Sequence, residues 1–151
     1  MGMPSNFTEI LAALSSALEC APLQTDERGR VLFGLDEDMG AVLFTEKNED
    51  SGDEAVVACV VVGRPEPEDA ELLRDVLCAN YMWTASGDGT LAIDEESGLL
   101  VVHRMMELPM PPASFIDEFS SLVGSARYWR TRLEPATGTV ELLESNGMLR
   151  V

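Results

Sequence analysis

One histidine, three cysteines and 27 carboxylates are the side chains here that could do chemistry. A serine or cysteine triad would need His103 as its base, because no other imidazole exists. His103 falls in an apolar run beside Arg104, a setting for a half-exposed structural histidine in a strand. Cys20, Cys59 and Cys78 have no CxxC spacing and are too scattered for structural zinc. Cys59 sits in an apolar run and Cys78 in a helical pattern, so all three read as reduced, core or half-buried thiols. Asp36, Asp38 and Gly40 suggest a calcium loop, as do Asn48, Asp50 and Gly52. Neither set has the glycine at position six or the glutamate at twelve that such a loop requires. No GxGxxG or P-loop sequence cradles a phosphate. Paired carboxylates such as Glu95-Glu96 are uninformative in so acidic a chain. The residues point away from an enzyme and call for no cofactor or metal, leaving an unrecognised carboxylate site as the enzymatic alternative.

The charge balance limits partners. Asp and Glu outnumber Lys and Arg by 27 to 10, a formal charge of −17. Such a surface repels phosphate backbones and anionic membranes, so neither nucleic acid nor membrane is expected as a partner. Arg127, Arg130 and Arg132 around Tyr128-Trp129 read as complements to a helix C-terminus rather than as a nucleic-acid site. The opening Met1-Gly2-Met3-Pro4-Ser5 has no basic or long apolar segment of a secretory signal. No apolar run nears the roughly 18 residues of a membrane span. A cytoplasmic protein is expected. With 46% apolar residues in 151, the chain can bury a real core, about two-thirds of its unfolded surface.

The elements that must position these residues follow from periodicity. Phe7, Ile10, Leu11, Leu14 and Leu18 recur at helical spacing, with Asn6 and Glu9 fit for a capping box and Pro22 as the stop. Val31, Phe33 and Leu35 alternate as a strand, and Val42 and Phe44 mark a second over 41–44. The acidic stretch 46–54 reads as an exposed hairpin loop. The unbroken run from Ala55 to Val62 predicts a central strand covered on both faces. Pro65-Glu66-Pro67-Glu68-Asp69 then opens a second helix with the stripe Ala70, Leu73, Val76, Leu77, Asn80 and Tyr81. Leu91 and Ile93 mark a fourth strand and 99–106 a fifth. Ser114 and Asp117 suggest the cap of a last helix striped by Phe115, Phe119, Leu122, Ala126, Trp129 and Leu133. The fold class is α+β, in the order helix, three strands, helix, two strands, helix, with a twisted antiparallel sheet packed against helices. Residues 1–133 make a single domain and 134–151 an unassigned C-terminal tail with one apolar patch, Val140 to Leu143.

This order, with particular segments, resembles the Tir-chaperone (CesT-like) family, the class I chaperones of type III secretion. The segments are Leu18-Glu19-Cys20-Ala21-Pro22-Leu23 after the first helix, and Leu72-Leu73-Arg74-Asp75-Val76-Leu77-Cys78-Ala79-Asn80-Tyr81, similar to the family's "LLxAN" run. Gly87-Asp88-Gly89-Thr90-Leu91-Ala92-Ile93-Asp94, similar to "GGxxLxLD", and Gly98 to Val102 follow. The resemblance covers about residues 6–133. It implies a non-catalytic bacterial cytoplasmic homodimer that holds an extended N-terminal segment of a secreted effector soluble and export-competent, without ATP. The secretion ATPase joins the candidate partners on the same ground. It also implies that the second helix lies at the two-fold axis, so Leu73, Val76, Leu77 and Tyr81 are the expected dimer interface. Phe33, Leu35, Val42 and Phe44, with the first helix, are the expected effector-binding surface, since they offer more apolar area than two short strands need. The competing reading is an acidic interaction module, a regulatory adaptor or inhibitor unrelated to export.

Overall fold

The computed structural model describes residues 5–36, 39–84 and 86–133. The expected tail, 134–151 with its Val140–Leu143 patch, lies outside the described residues. The described elements run α1 (Phe7–Ala17), β1 (Val31–Asp36), β2 (Met39–Lys47), β3 (Glu54–Gly63), α2 (Ala70–Asn80), β4 (Thr90–Ile93), β5 (Leu100–Leu108) and α3 (Pro112–Arg130). A short 3-10 turn, Tyr81–Trp83, follows α2 directly. The five strands form one antiparallel sheet in the order β1-β2-β3-β5-β4. The α+β class and element order are as expected.

The unbroken apolar run becomes the middle strand. Val56, Ala58, Val60 and Val62 of β3 join a core cluster with the buried residues of all three helices. Cys59 and Val61 join a second cluster on the other face, with Val42, Phe44, Leu99 and Val101. A strand buried on both sides has no polar alternation to show, which is why its sequence has none. Across the helix-covered face, the rings of Phe33 and Phe119 lie 5.9 Å apart and those of Phe115 and Phe119 5.8 Å apart, fastening β1 to α3.

The helix ends differ from the sequence reading. Asn6 makes no capping bond. Its amide donates to the Met110 carbonyl at 2.7 Å and accepts from the Met110 N–H at 3.2 Å, tying the start of α1 to the segment before α3. The first helix also stops at Ala17, short of Pro22, with Glu19 in the left-handed region at φ 52°. Ser15 turns the chain back, donating to the Leu11 carbonyl at 2.7 Å and accepting the Leu23 N–H at 2.9 Å. Ser114 is not the cap of α3. Pro111 holds that position and Pro112 starts the helix, where a missing N–H costs nothing. For α2 the cap is Asp69, whose carboxylate accepts from the Leu72 N–H at 3.0 Å, so the helix begins after the prolines. The second and fifth strands run longer than their apolar cores, to Lys47 and Leu108.

Two of the three thiols depart from expectation. Cys59 is buried, but Cys20 and Cys78 are exposed. Cys78 sits in a helical pattern, yet on the face of α2 turned away from Leu72, Val76 and Ala79.

Candidate functional site

The second helix divides its apolar residues between two jobs. Leu72, Val76 and Ala79 enter the core. Val76 is only 6% exposed, so it belongs to the core of the chain itself and is not the surface residue anticipated. The reason is spacing: Leu72, Val76 and Ala79 form one i, i+4, i+7 stripe, and Leu73, Leu77 and Tyr81 form the next stripe round. That second stripe stays in solvent, with Leu77 71% and Tyr81 75% exposed. Ile93 of β4 and Met82 are exposed large apolar residues as well. Isolated exposed leucines are ordinary, but a helical stripe of them continued by a turn and a strand is a docking surface in composition.

The four residues expected to meet an effector do not form one exposed patch. Phe33 is buried among the helix-side core, and Leu35 is half-buried against it. Val42 and Phe44 are buried on the opposite face. Pairing explains the split: Phe33 stands opposite Ala41 and Leu32 opposite Val42, so Val42 shares a face with Leu32 and not with Phe33.

The two edges of the sheet are unlike. On the β4 edge, the Asn80 amide donates to the Leu91 carbonyl and accepts from the Leu91 N–H, both at 2.9 Å. That side chain copies the two bonds a neighbouring strand would make. One step earlier, the Gly89 N–H donates to the Ser86 carbonyl at 3.2 Å. The β4 edge is therefore occupied from within. On the β1 edge, no loop or side chain bonds to the outer side of Val31–Asp36 among the described residues. Just before it, the Asp26 carboxylate accepts from the N–H groups of Arg28 and Arg30 and from the Arg30 guanidinium. The Arg30 backbone bond, helped by the others, holds the Asp26 carboxyl below its ordinary value.

A cleft of about 580 Å³ opens on the sheet face away from the helices, lined by Val57, Trp83, Asp88, Thr90, His103, Arg104 and Met105. His103 faces Cys59 on one neighbour and Thr90 on the other. The pair Cys59–His103 is not a catalytic dyad. Burial pushes the Cys59 thiol up to about 12, so no thiolate forms near neutral pH. Burial also lowers the His103 imidazole below its ordinary value, leaving it uncharged there. Among the described residues, no group of three or more His, Cys, Asp or Glu side chains could hold a metal ion. None of their helices is long and apolar enough to cross a membrane.

A helix-backed five-stranded sheet with an apolar second helix beside a short fourth strand can be compared with known families. The model of the Tir chaperone protein (CesT) family matches residues 9–130. The chain belongs to that family. Solved CesT-like structures agree in fold. The chain of the ExsC–ExsE complex superposes with a TM-score of 0.70 at 20% identity, covering 89% of this chain and 98% of that one. A chain of the HopA1–SchA chaperone–effector complex gives 0.65 at 20% identity, covering 83% and 93%. The Yersinia pestis type III secretion chaperone SycH, in complex with a stable fragment of YscM2, gives 0.61 at 18% identity, covering 82% and 99%. No curated protein sequence matches the chain. Sequence reasoning missed the cleft, because the residues that frame it come from three strands, β3, β4 and β5, and from the two segments that carry Trp83 and Asp88. The signal available was Gly87-Asp88-Gly89, a tight loop with a carboxylate at its tip.

Proposed function

We propose that this protein is a type III secretion chaperone that works without catalysis, in the cytoplasm of a bacterium, as a homodimer. It binds an extended N-terminal segment of a secreted effector and keeps it soluble and competent for export. The observation that carries this reading is a CesT-family sheet whose β1 edge has no pairing partner among the described residues, while Asn80 bonds to the other edge at Leu91. An extended segment gains main-chain hydrogen bonds by lying along β1, while its side chains meet Leu35 and the exposed part of α1. Phe33, Val42 and Phe44 serve that surface from beneath, by fixing the two strands that present it. The solved relatives include chains in chaperone–effector and chaperone–fragment complexes, which supports the same reading.

The dimer uses the exposed stripe Leu73, Leu77 and Tyr81, with Ile93, and Val76 anchors the helix behind it. A patch centred on a single helix can meet its own copy across a two-fold axis. Ordering a long peptide costs about 1–2 kcal/mol per fixed backbone residue, so a wide surface is required, and two protomers double it. The charge of −17 keeps the loaded complex soluble and favours segments with basic flanks. The secretion ATPase is a further partner, met after loading.

Co-expression with the secreted proteins of the same bacterium tests the reading. A chaperone should co-purify with one or a few of them at a fixed ratio, independent of ATP and chelator. Recovery of the chain with no secreted protein bound, or measurable ATP turnover by it, would count against the proposal. Light scattering at micromolar concentration should give twice the chain mass.

A further inference from the structure

The cleft beside His103 has walls of two kinds. Val57 and Met105 are partners across β3 and β5, and Thr90 and His103 are partners across β4 and β5. These four make a floor that is apolar or uncharged at neutral pH. At the rim stand Trp83 and Asp88. Trp83 is half exposed, and Met105 is 62% exposed, although it lies in the middle of a sheet strand. Arg104 also borders the cleft, but its charge is already met by an ion pair with Glu118 of α3.

The rim is built rather than incidental. Met82, Trp83 and Asp88 all adopt left-handed backbone conformations, with φ of 52°, 56° and 62°. Such conformations are uncommon outside glycine and gather where a site holds its groups in place. Two close approaches pin the loop that carries Asp88. A Cβ on Gly87 would lie 2.8 Å from the Ser121 carbonyl oxygen, and a Cβ on Gly89 2.5 Å from Leu122 Cδ2 and 2.9 Å from Val102 Cγ2. The loop can therefore press against α3 and β5 only with glycine on both sides of Asp88. The result is a carboxylate on a constrained backbone that shares a cleft with an indole, over a floor of Val57, Met105, Thr90 and His103.

We propose that this cleft is a subsite for the guanidinium group of an arginine in the bound segment, with Asp88 as counter-ion and Trp83 as the stacking surface. Val57 and Met105 cover the aliphatic stem, and Thr90 supplies a hydroxyl to the fork of N–H donors. An arginine matches the walls other than Arg104, whose charge Glu118 meets: it stacks on aromatic faces, pairs with a carboxylate through two donors, and is weakly hydrated enough to enter a half-apolar cleft. Charge complementarity selects it over neutral or acidic side chains, since the chain's excess of carboxylates draws cations to the whole surface and Asp88 fixes one of them here. The subsite rests on the reading of this protein as one that holds an extended segment, and gives that segment a chemical requirement: an arginine at the point where it crosses this face.

Two tryptophans make the test direct, because Trp129 is buried in the core and Trp83 lines the cleft. The probe is the tripeptide acetyl-Leu-Arg-Leu-amide, titrated into the full chain while the two indole N–H signals are followed by NMR and assigned with Trp83→Tyr. Its control has citrulline, the same shape without charge, in place of arginine. The Trp83 signal should move saturably with the arginine peptide while the Trp129 signal stays still. The citrulline peptide should bind at least tenfold more weakly, and Asp88→Asn should bring the arginine peptide down to the same level. Asparagine tolerates the left-handed conformation, so this variant keeps the loop. Equal binding of the two peptides, or an unchanged response in Asp88→Asn, would overturn the subsite. A tripeptide is too short to be cargo, so such a failure leaves the chaperone reading to the co-expression result. A preserved arginine response with no cargo recovered would sink that reading and keep the subsite.

Discussion

Replacing Leu77 by alanine separates association from folding. Leu77 is 71% exposed in the single chain, so most of its side chain is available to a partner and little is committed to its own core. Truncation to alanine removes three carbons, worth about 0.8 kcal/mol each when fully buried, or roughly 1.7 kcal/mol after scaling for the exposed share. Two-fold symmetry places the change twice in each interface, giving about 3.4 kcal/mol per dimer, or a dissociation constant raised by about 300-fold. The melting of the isolated subunit should hardly change. Val76→Ala, one residue earlier, should do the reverse: its side chain is 6% exposed and faces the core, so about 1–3 kcal/mol of folding stability goes while the interface contacts remain. Sedimentation velocity over a dilution series gives the dimer constant, and urea unfolding at a concentration held above it gives stability. If Leu77→Ala leaves the dimer constant within threefold of the original, the exposed α2 stripe is not the interface.

Asn80→Leu keeps the bulk of the side chain and deletes both of its bonds to Leu91, so a buried N–H and C=O lose their partners; urea unfolding should show a loss of about 1–3 kcal/mol, and the freed β4 edge should raise aggregation seen by light scattering. His103 carries a depressed pKa in the folded state, so the unfolded chain binds the extra proton first as pH falls. Its contribution is fully present above the ordinary value of 6.5 and is lost as pH drops through the lower folded value, and His103→Gln should flatten that part of a stability-versus-pH curve without changing its plateau near pH 8. Gly89→Ala would set a methyl 2.5 Å from Leu122 Cδ2, and its soluble yield and melting temperature should fall much further than those of Gly124→Ala on α3, where a Cβ meets nothing within 4 Å.

The sequence displayed the order of elements because each was written in its own period: 3.6 for α1, α2 and α3, two for β1, and none for the doubly covered β3. It displayed the exposed stripe on α2 only in part. Leu73, Val76 and Leu77 all read as one apolar helix face, and only the sheet beneath decides that Val76 turns inward while its neighbours stay out. Register likewise decides that Phe33 and Val42 lie on opposite faces, and no residue type announces a register. Caps misled for a different reason. Asn6 has the chemistry of a cap but spends its amide on Met110, 104 positions away, where an otherwise unpaired loop peptide needs both a donor and an acceptor. The cleft was the least visible feature. Its floor is a set of cross-strand neighbours and its rim is a pair of left-handed residues, and both are properties of tertiary placement rather than of local pattern.

Asn80 has one more consequence, for counting. A sheet with two receptive edges is a link: it can take a strand on one side, offer the other to the next molecule, and grow without limit. Here the Asn80 side chain stands at Leu91, where a second guest would pair, so a sheet that takes a guest strand on β1, as proposed above, ends the stack instead of extending it. On that proposal stoichiometry follows from hydrogen-bond valence, one guest strand for each chain.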